Sequence, residues 1–290
     1  MTFNKGSDIS SGKVSRRGRN AAIGGGGGIL GILAVVIISQ LTGVDLSGIL
    51  GGGGGGGTAS EEQLTCTAEQ ANTDDDCRVQ GAAASIDDYW TDNATAFGID
   101  YVTPPVVIFQ GATQTGCGNA TSAVGPFYCP GDQTIYLDTD FYATLRSQFG
   151  ASGGELAQIY IIAHEWGHHI QNISGIMEGK DLRATGADSD SVRLELQADC
   201  FAGAWAGAAT TTADADGNVF LQPFTDAQLA DALNAAEAVG DDNIQEQTQG
   251  QATPESWTHG SSEQRQKWFL TGMKQGPDAC ATFDVSSAEL

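Results

Sequence analysis

His164-Glu165-Trp166-Gly167-His168 sets two imidazoles four residues apart, with a carboxylate directly after the first. On a helix, positions four apart sit one turn apart on the same face, so both rings can reach a single ion. Two such histidines bind Zn²⁺ and leave the intervening glutamate free to act as general base on water. A catalytic zinc takes three protein ligands and keeps one position open, and two histidines with a glutamate form one such set. Glu195, in Glu195-Leu196-Gln197-Ala198-Asp199, is the expected third ligand. Asp199 shares its helical face and can accept a hydrogen bond from the far nitrogen of a ligand histidine. The chain has only four histidines, and three fall in or beside this motif. His169, one step round the helix from His168, points away from the metal face and is expected to be structural. The expectation is one Zn²⁺ per chain on His164, His168 and Glu195, with Glu165 as base and Asp199 behind the ligands.

These side chains need two helices held face to face. Apolar patterning predicts helices over 156–173 and 191–209, the second starting at Asp190 or Ser191 as N-cap. Leu194, Leu196, Ala198, Phe201 and Ala202 turn that second helix toward the core, where an unpaired carboxylate would be costly. Further helices are expected over 85–97, 141–149, 225–239 and 262–273, the last capped by Ser261 or Ser262. Residues 101–110 and 134–138 read as strands, and the Gly-, Pro- and Cys-rich stretch 116–132 as a disulfide-clipped loop. Strands first and helices after, without βαβ alternation, indicate an α+β domain.

The first part of the chain has a different composition. Lys5, Lys13, Arg16, Arg17 and Arg19 precede a stretch from 20 to 44 that carries no charged residue. That length can span a bilayer, and basic residues favour the cytoplasmic side. The expected organisation is a disordered cytoplasmic tail at 1–20 and a single transmembrane signal anchor at 21–44. A Gly-rich linker at 45–65 and an extracytoplasmic catalytic domain at 66–290 follow. A cleaved signal peptide is the rival reading. Cys66, Cys77, Cys117, Cys129, Cys200 and Cys280 agree with export. Six cysteines allow 15 pairings; the short loops 66–77 and 117–129 are the natural pairs, leaving Cys200 with Cys280. The formal net charge of -23 argues against a nucleic-acid partner.

Longer segments carry a resemblance. The run from His164 to Asn172, Arg193-Leu194-Glu195-Leu196-Gln197-Ala198-Asp199-Cys200-Phe201-Ala202-Gly203, and Val124-Gly125-Pro126-Phe127-Tyr128-Cys129-Pro130 with Ile135-Tyr136-Leu137-Asp138 are similar to the prokaryotic putative neutral zinc metallopeptidase family. So is Pro254-Glu255-Ser256-Trp257-Thr258-His259-Gly260-Ser261-Ser262. The resemblance implies a zincin-like metallopeptidase fold acting on peptide or protein substrates. In zincin order, the strand at 134–138 would be the substrate-binding edge, with an ordinary core strand as the rival reading. Glu195-Leu196-Gln197-Ala198-Asp199 also resembles, more distantly, the third-ligand segment of membrane CAAX prenyl proteases and bacterial heat-shock relatives. Those proteins carry Thr-His-Pro-Pro with an arginine six residues after the histidine. Here Gly260-Ser261 stands in place of Pro-Pro, and Arg265 keeps the offset. By that likeness His259 donates to the developing oxyanion, supported by Arg265. The rival function is a catalytically silent envelope module that holds zinc for stability and binds a partner.

Overall fold

The computed structural model describes residues 3–18, 61–148 and 151–290. Their strands are β1 Val14–Arg17, β2 Glu61–Gln63, β3 Val106–Ile108, β4 Ala112–Thr115, β5 Gly118–Thr121, β6 Phe127–Cys129 and β7 Thr134–Leu137. Five form one mixed sheet in the order β2-β1-β3-β7-β6, while β4 and β5 pair as a separate hairpin. The central strands β1, β3 and β7 run parallel; β2 and β6 lie antiparallel on the two edges. Val106, Val107 and Ile108 are buried, and such β-branched residues suit a strand covered on both faces. The expected strand at 101–110 contracts to these three.

Of the two readings of the strand at 134–138, the structure favours the core strand. β7 pairs on both sides, with β3 and β6, so residues 134–137 have no free edge. β6 is the edge strand instead. Phe127 and Tyr136 face each other across that pair, with stacked rings 5.2 Å apart.

Residues 3–18 are not a disordered tail. β1 lies between β2 and β3, with Val14 opposite Val106 and Arg16 opposite both Ile108 and Glu62. Phe3, Ile9 and Val14 are buried in the core shared with the helices. The Phe3 backbone N–H donates to Asn72 Oδ1 at 2.7 Å, and the Asn4 N–H donates to the Phe220 carbonyl at 2.9 Å. Arg17 reaches Glu61 at 2.7 Å and lies over the Tyr136 ring. The N-terminal segment is therefore part of the domain, and so are residues 61–65, which begin with β2. The expected span at 21–44 and the linker residues 45–60 lie outside the described residues. Among the described residues, no helix is long and apolar enough to cross a membrane.

The helices are α1 Ala68–Ala71, α2 Asp75–Asn93, α3 Phe141–Gln148, α4 Glu155–Ile173, α5 Asp190–Ala208, α6 Asp226–Ala238, α7 Asp241–Gln249 and α8 Ser262–Gln275. Asp74 caps α2, which starts ten residues before the expected helix at 85. Ser189, rather than Asp190 or Ser191, caps α5 by accepting the Val192 N–H. Thr225 and Ser261 open α6 and α8 with reciprocal capping boxes. The sequence reading missed α7 and the β4–β5 hairpin.

Close helix contacts set the geometry. A Cβ on Gly167 of α4 would meet the Ala198 backbone of α5 at 2.9 Å. Between α5 and α8, a Cβ on Gly203 would lie 1.9 Å from the Phe269 carbonyl, and one on Gly272 1.9 Å from the Cys200 carbonyl. Only glycine lets these backbones approach so closely. All three expected disulfides are formed, Cys66–Cys77, Cys117–Cys129 and Cys200–Cys280.

The buried N-terminal segment yields a stability prediction. Phe3→Ala in the full chain should cost about 3–5 kcal/mol, as for other buried Phe truncations. Denaturant unfolding checks it; an unchanged midpoint would show that this segment does not belong to the folded unit.

Candidate metal centre

α4 and α5 cross with Gly167 against Ala198, which brings the ligand-bearing turns of the two helices together. On α4, His164 lies about one turn before that crossing and His168 directly after it; on α5, Glu195 lies about one turn before it and Asp199 directly after it. Ligand atoms of His164, His168 and Glu195 all lie within 4.8 Å of one another. His164 Nε2 is 3.2 Å from Glu195 Oε2, and His168 Nε2 is 3.5 Å from Glu195 Oε1. Both rings thus turn the same nitrogen toward one carboxylate. Their other nitrogens are already engaged: His164 Nδ1 meets Asp199 Oδ1 at 2.8 Å, and His168 Nδ1 meets Gln171 Oε1 at 2.9 Å. This polarity suits a metal ion. Imidazole binds through one nitrogen while a hydrogen bond at the other fixes tautomer and orientation.

Asp199 is fully buried and accepts from three side chains. Tyr160 Oη approaches Oδ1 at 2.5 Å; Arg265 Nε donates to Oδ2 at 2.8 Å and Nη2 to Oδ1 at 3.0 Å. Burial alone would raise its pKa, but Arg265 and His164 overcome that and hold it at about 2. Burial also disfavours charge on His164, yet Asp199 and Glu195 prevail and push it up to about 10. Glu195 is likewise held well below the carboxylate range, with the charges of His168 and His259 outweighing its burial. Arg265 thus makes its hydrogen bonds to Asp199, Tyr160 and the Val239 carbonyl, and acts on His259 through its charge.

Glu165 is buried beside the ligands. Burial raises its pKa, while His168, His164 and a hydrogen bond from the Tyr128 backbone N–H draw it back. Tyr128 belongs to β6, so the edge strand touches Glu165 directly. Behind it, His169 Nε2 donates to the Val102 carbonyl at 2.6 Å, and its Nδ1 lies 3.1 Å from Tyr128 Oη. Burial lowers the His169 pKa to about 4, so the ring is neutral and braces β6 against α4.

His259 lies in the turn before α8. Its backbone N–H donates to Asp241 Oδ2 at 2.6 Å, as do those of Thr258 at 2.7 Å and Gly260 at 3.1 Å. Its Nδ1 meets Thr258 Oγ1 at 2.8 Å and lies 3.4 Å from Asp241 Oδ1. The structure brings His164, Glu165, His168, Glu195, Asp199 and Arg265 into one network, with His259 close enough to act electrostatically on Glu195. Sequence reasoning missed Tyr160, Gln171 and Asp241. Tyr160 stands one turn before His164 and Gln171 one turn after His168's position on the same helix, a spacing that could have flagged both.

The family model described as putative neutral zinc metallopeptidase matches residues 4–283, and the chain belongs to that family. That match begins within the N-terminal segment that carries β1. The chain is 39% identical over 286 residues to the uncharacterized protein YpfJ of Escherichia coli strain K12, covering 96% of this chain and 94% of that protein. It is 48% identical over 222 residues to the uncharacterized protein Rv2575 of Mycobacterium tuberculosis strain H37Rv, covering 76% of this chain and 74% of that protein. No solved structure matches it.

The donor set fits zinc, with two imidazole nitrogens and one carboxylate, each supported from behind. Zinc binding must displace the proton that Asp199 and Glu195 keep on His164 up to about pH 10. Because that proton competes with the metal, zinc affinity should climb about tenfold per pH unit between pH 7 and 9. Chelator competition across that range checks it, and a flat profile would contradict the protonated state of His164.

Proposed function

We propose that the protein is a zinc-dependent endopeptidase of zincin type, acting outside the cytoplasm and attached to the membrane. The observation that carries the reading is the convergence of His164, His168 and Glu195 beside the buried carboxylate of Glu165. Zinc, when bound, supplies Lewis acidity that polarises the scissile carbonyl and acidifies the attacking water. Glu165 takes the proton from that water and returns it to the leaving nitrogen; its burial makes it a stronger base than an exposed glutamate. His259 donates to the developing oxyanion. Burial disfavours its charge, but Glu195 and Asp241 raise its pKa overall, which favours the donor form. An extended peptide can pair with β6, the sheet edge whose Tyr128 N–H reaches Glu165.

Three disulfides support an oxidising compartment. Because β1 and β3 cannot pair across a bilayer, the proposal keeps residues 3–18 on the same side as the catalytic domain. A cytoplasmic tail on the far side of a single span is therefore dropped from the proposal. The alternative, a silent zinc-holding module, is weakened by Glu165, since a structural site is usually closed by four ligands and has no use for a base.

Glu165→Gln in the full chain should keep its zinc and lose about 10²- to 10⁴-fold in kcat on casein. Equal hydrolysis by both proteins would remove Glu165 from the chemistry. Zinc in both with hydrolysis in neither would favour the binding module.

A further inference from the structure

The two ligand histidines are supported by different chemistry. His164 rests on a charged cluster of Asp199, Arg265 and Tyr160. His168 rests on neutral amides that continue well beyond it. Gln171 Oε1 lies 2.9 Å from His168 Nδ1. The Gln171 Nε2 group donates to the Leu194 carbonyl at 2.7 Å and to Gln197 Oε1 at 3.1 Å. Gln197 Nε2 in turn donates to the Cys280 carbonyl at 2.8 Å. Gln171 and Gln197 are both buried, as are Cys200 and Cys280. The Cys280 carbonyl is held in place by the Cys200–Cys280 disulfide, and it also accepts the Thr282 N–H at 3.0 Å.

A backbone carbonyl can only accept, and that fixes the direction of every bond in this chain. Gln197 must turn its amino group to Cys280 and its oxygen to Gln171. Gln171 must then turn its amino group to Gln197, which the Leu194 carbonyl independently requires, and its oxygen to His168. Reversing Gln197 would set its oxygen against the Cys280 carbonyl and its amino group against that of Gln171. An oxygen at the end of the relay demands a proton on His168 Nδ1. Nε2, the nitrogen that faces Glu195, is thereby the one presented to a metal ion.

We infer that Gln171 and Gln197 are positioning residues that carry the polarity of the Cys280 carbonyl to His168 and lock it in the metal-binding tautomer. The disulfide anchors the far end of the relay to α5, so the C-terminal segment takes part in zinc retention without touching the ion. The inference rests on the metal site of the proposed function and not on peptide hydrolysis.

The test uses Gln171→Met and Gln197→Met in the full chain. Both substitutions keep side-chain length and remove the hydrogen bonds. Three quantities are read: zinc affinity by chelator competition, the His168 tautomer by ¹⁵N imidazole resonances of the zinc-loaded protein, and zinc-free thermal unfolding. Gln171→Met should weaken zinc about 10- to 100-fold, the range for outer partners of metal ligands. Gln197→Met, which never approaches the ion, should weaken it about tenfold, at the low end of that range. In both, part of the zinc-loaded protein should show His168 bound through Nδ1 with the proton on Nε2, where the parent shows Nδ1–H alone. An unchanged tautomer and affinity in Gln197→Met would overturn the relay. So would a fall in zinc-free melting temperature with unchanged affinity of the folded protein, since that is the behaviour of core packing alone. A parent chain that binds zinc but hydrolyses nothing would overturn the peptidase reading and leave the relay standing. A parent chain with no zinc affinity would overturn both.

Discussion

Asp199 cannot be buried as a bare charge. An isolated carboxylate in a protein interior would cost many kcal/mol or take up a proton, so the fold must bring it partners. It does so from two directions, with Tyr160 and His164 from α4 and Arg265 from α8. Once those contacts are made, three helices have fixed positions relative to one another. The glycine contacts at Gly167, Gly203 and Gly272 let the backbones come close enough to make them. Removing one member of such a buried set typically costs about 3–5 kcal/mol, because the remaining charge is left uncompensated. The metal site therefore inherits its rigidity from an ion pair that never touches the metal.

The same constraint orders the electrostatics around the ligands. Arg265 offsets Asp199, leaving Glu195 as the negative charge directed at the two Nε2 atoms. Glu165 sits in the same buried space, yet its pKa is raised while that of Glu195 is held down. Two carboxylates in one pocket are thus pushed in opposite directions, a separation expected of a ligand and a base. His259 approaches from a third direction, held by the hydrogen bonds that Asp241 accepts from three successive backbone N–H groups.

Much of this centre was legible in the sequence because helical periodicity is local. Four-residue spacings placed His164 with His168 and Glu195 with Asp199, and scarce histidines made the pairing specific. The three disulfides also followed from short spacings and elimination. The missing parts depend on contacts distant in sequence. Val14-Ser15-Arg16-Arg17 is too short and too basic to declare itself a strand; it becomes one because β2 and β3 flank it. The basic residues that pointed to a cytoplasmic tail instead meet acidic partners, Arg17 at Glu61 and Arg16 at Asp76. The strand at 134–137 was visible, but its place inside the sheet depends on β6, hidden in a loop-like stretch between prolines. Asp241 and Gln171 are ordinary polar residues until the fold aims them.

The central claim is that three ligands hold one zinc with a position left open beside Glu165. Diffraction from zinc-loaded crystals of the full chain, recorded at the zinc absorption edge, tests it most directly. One anomalous peak should lie about 2.0–2.2 Å from Nε2 of His164, Nε2 of His168 and a carboxylate oxygen of Glu195, with solvent in the fourth position. A peak elsewhere, or a fourth protein side chain closing the coordination sphere, would contradict it.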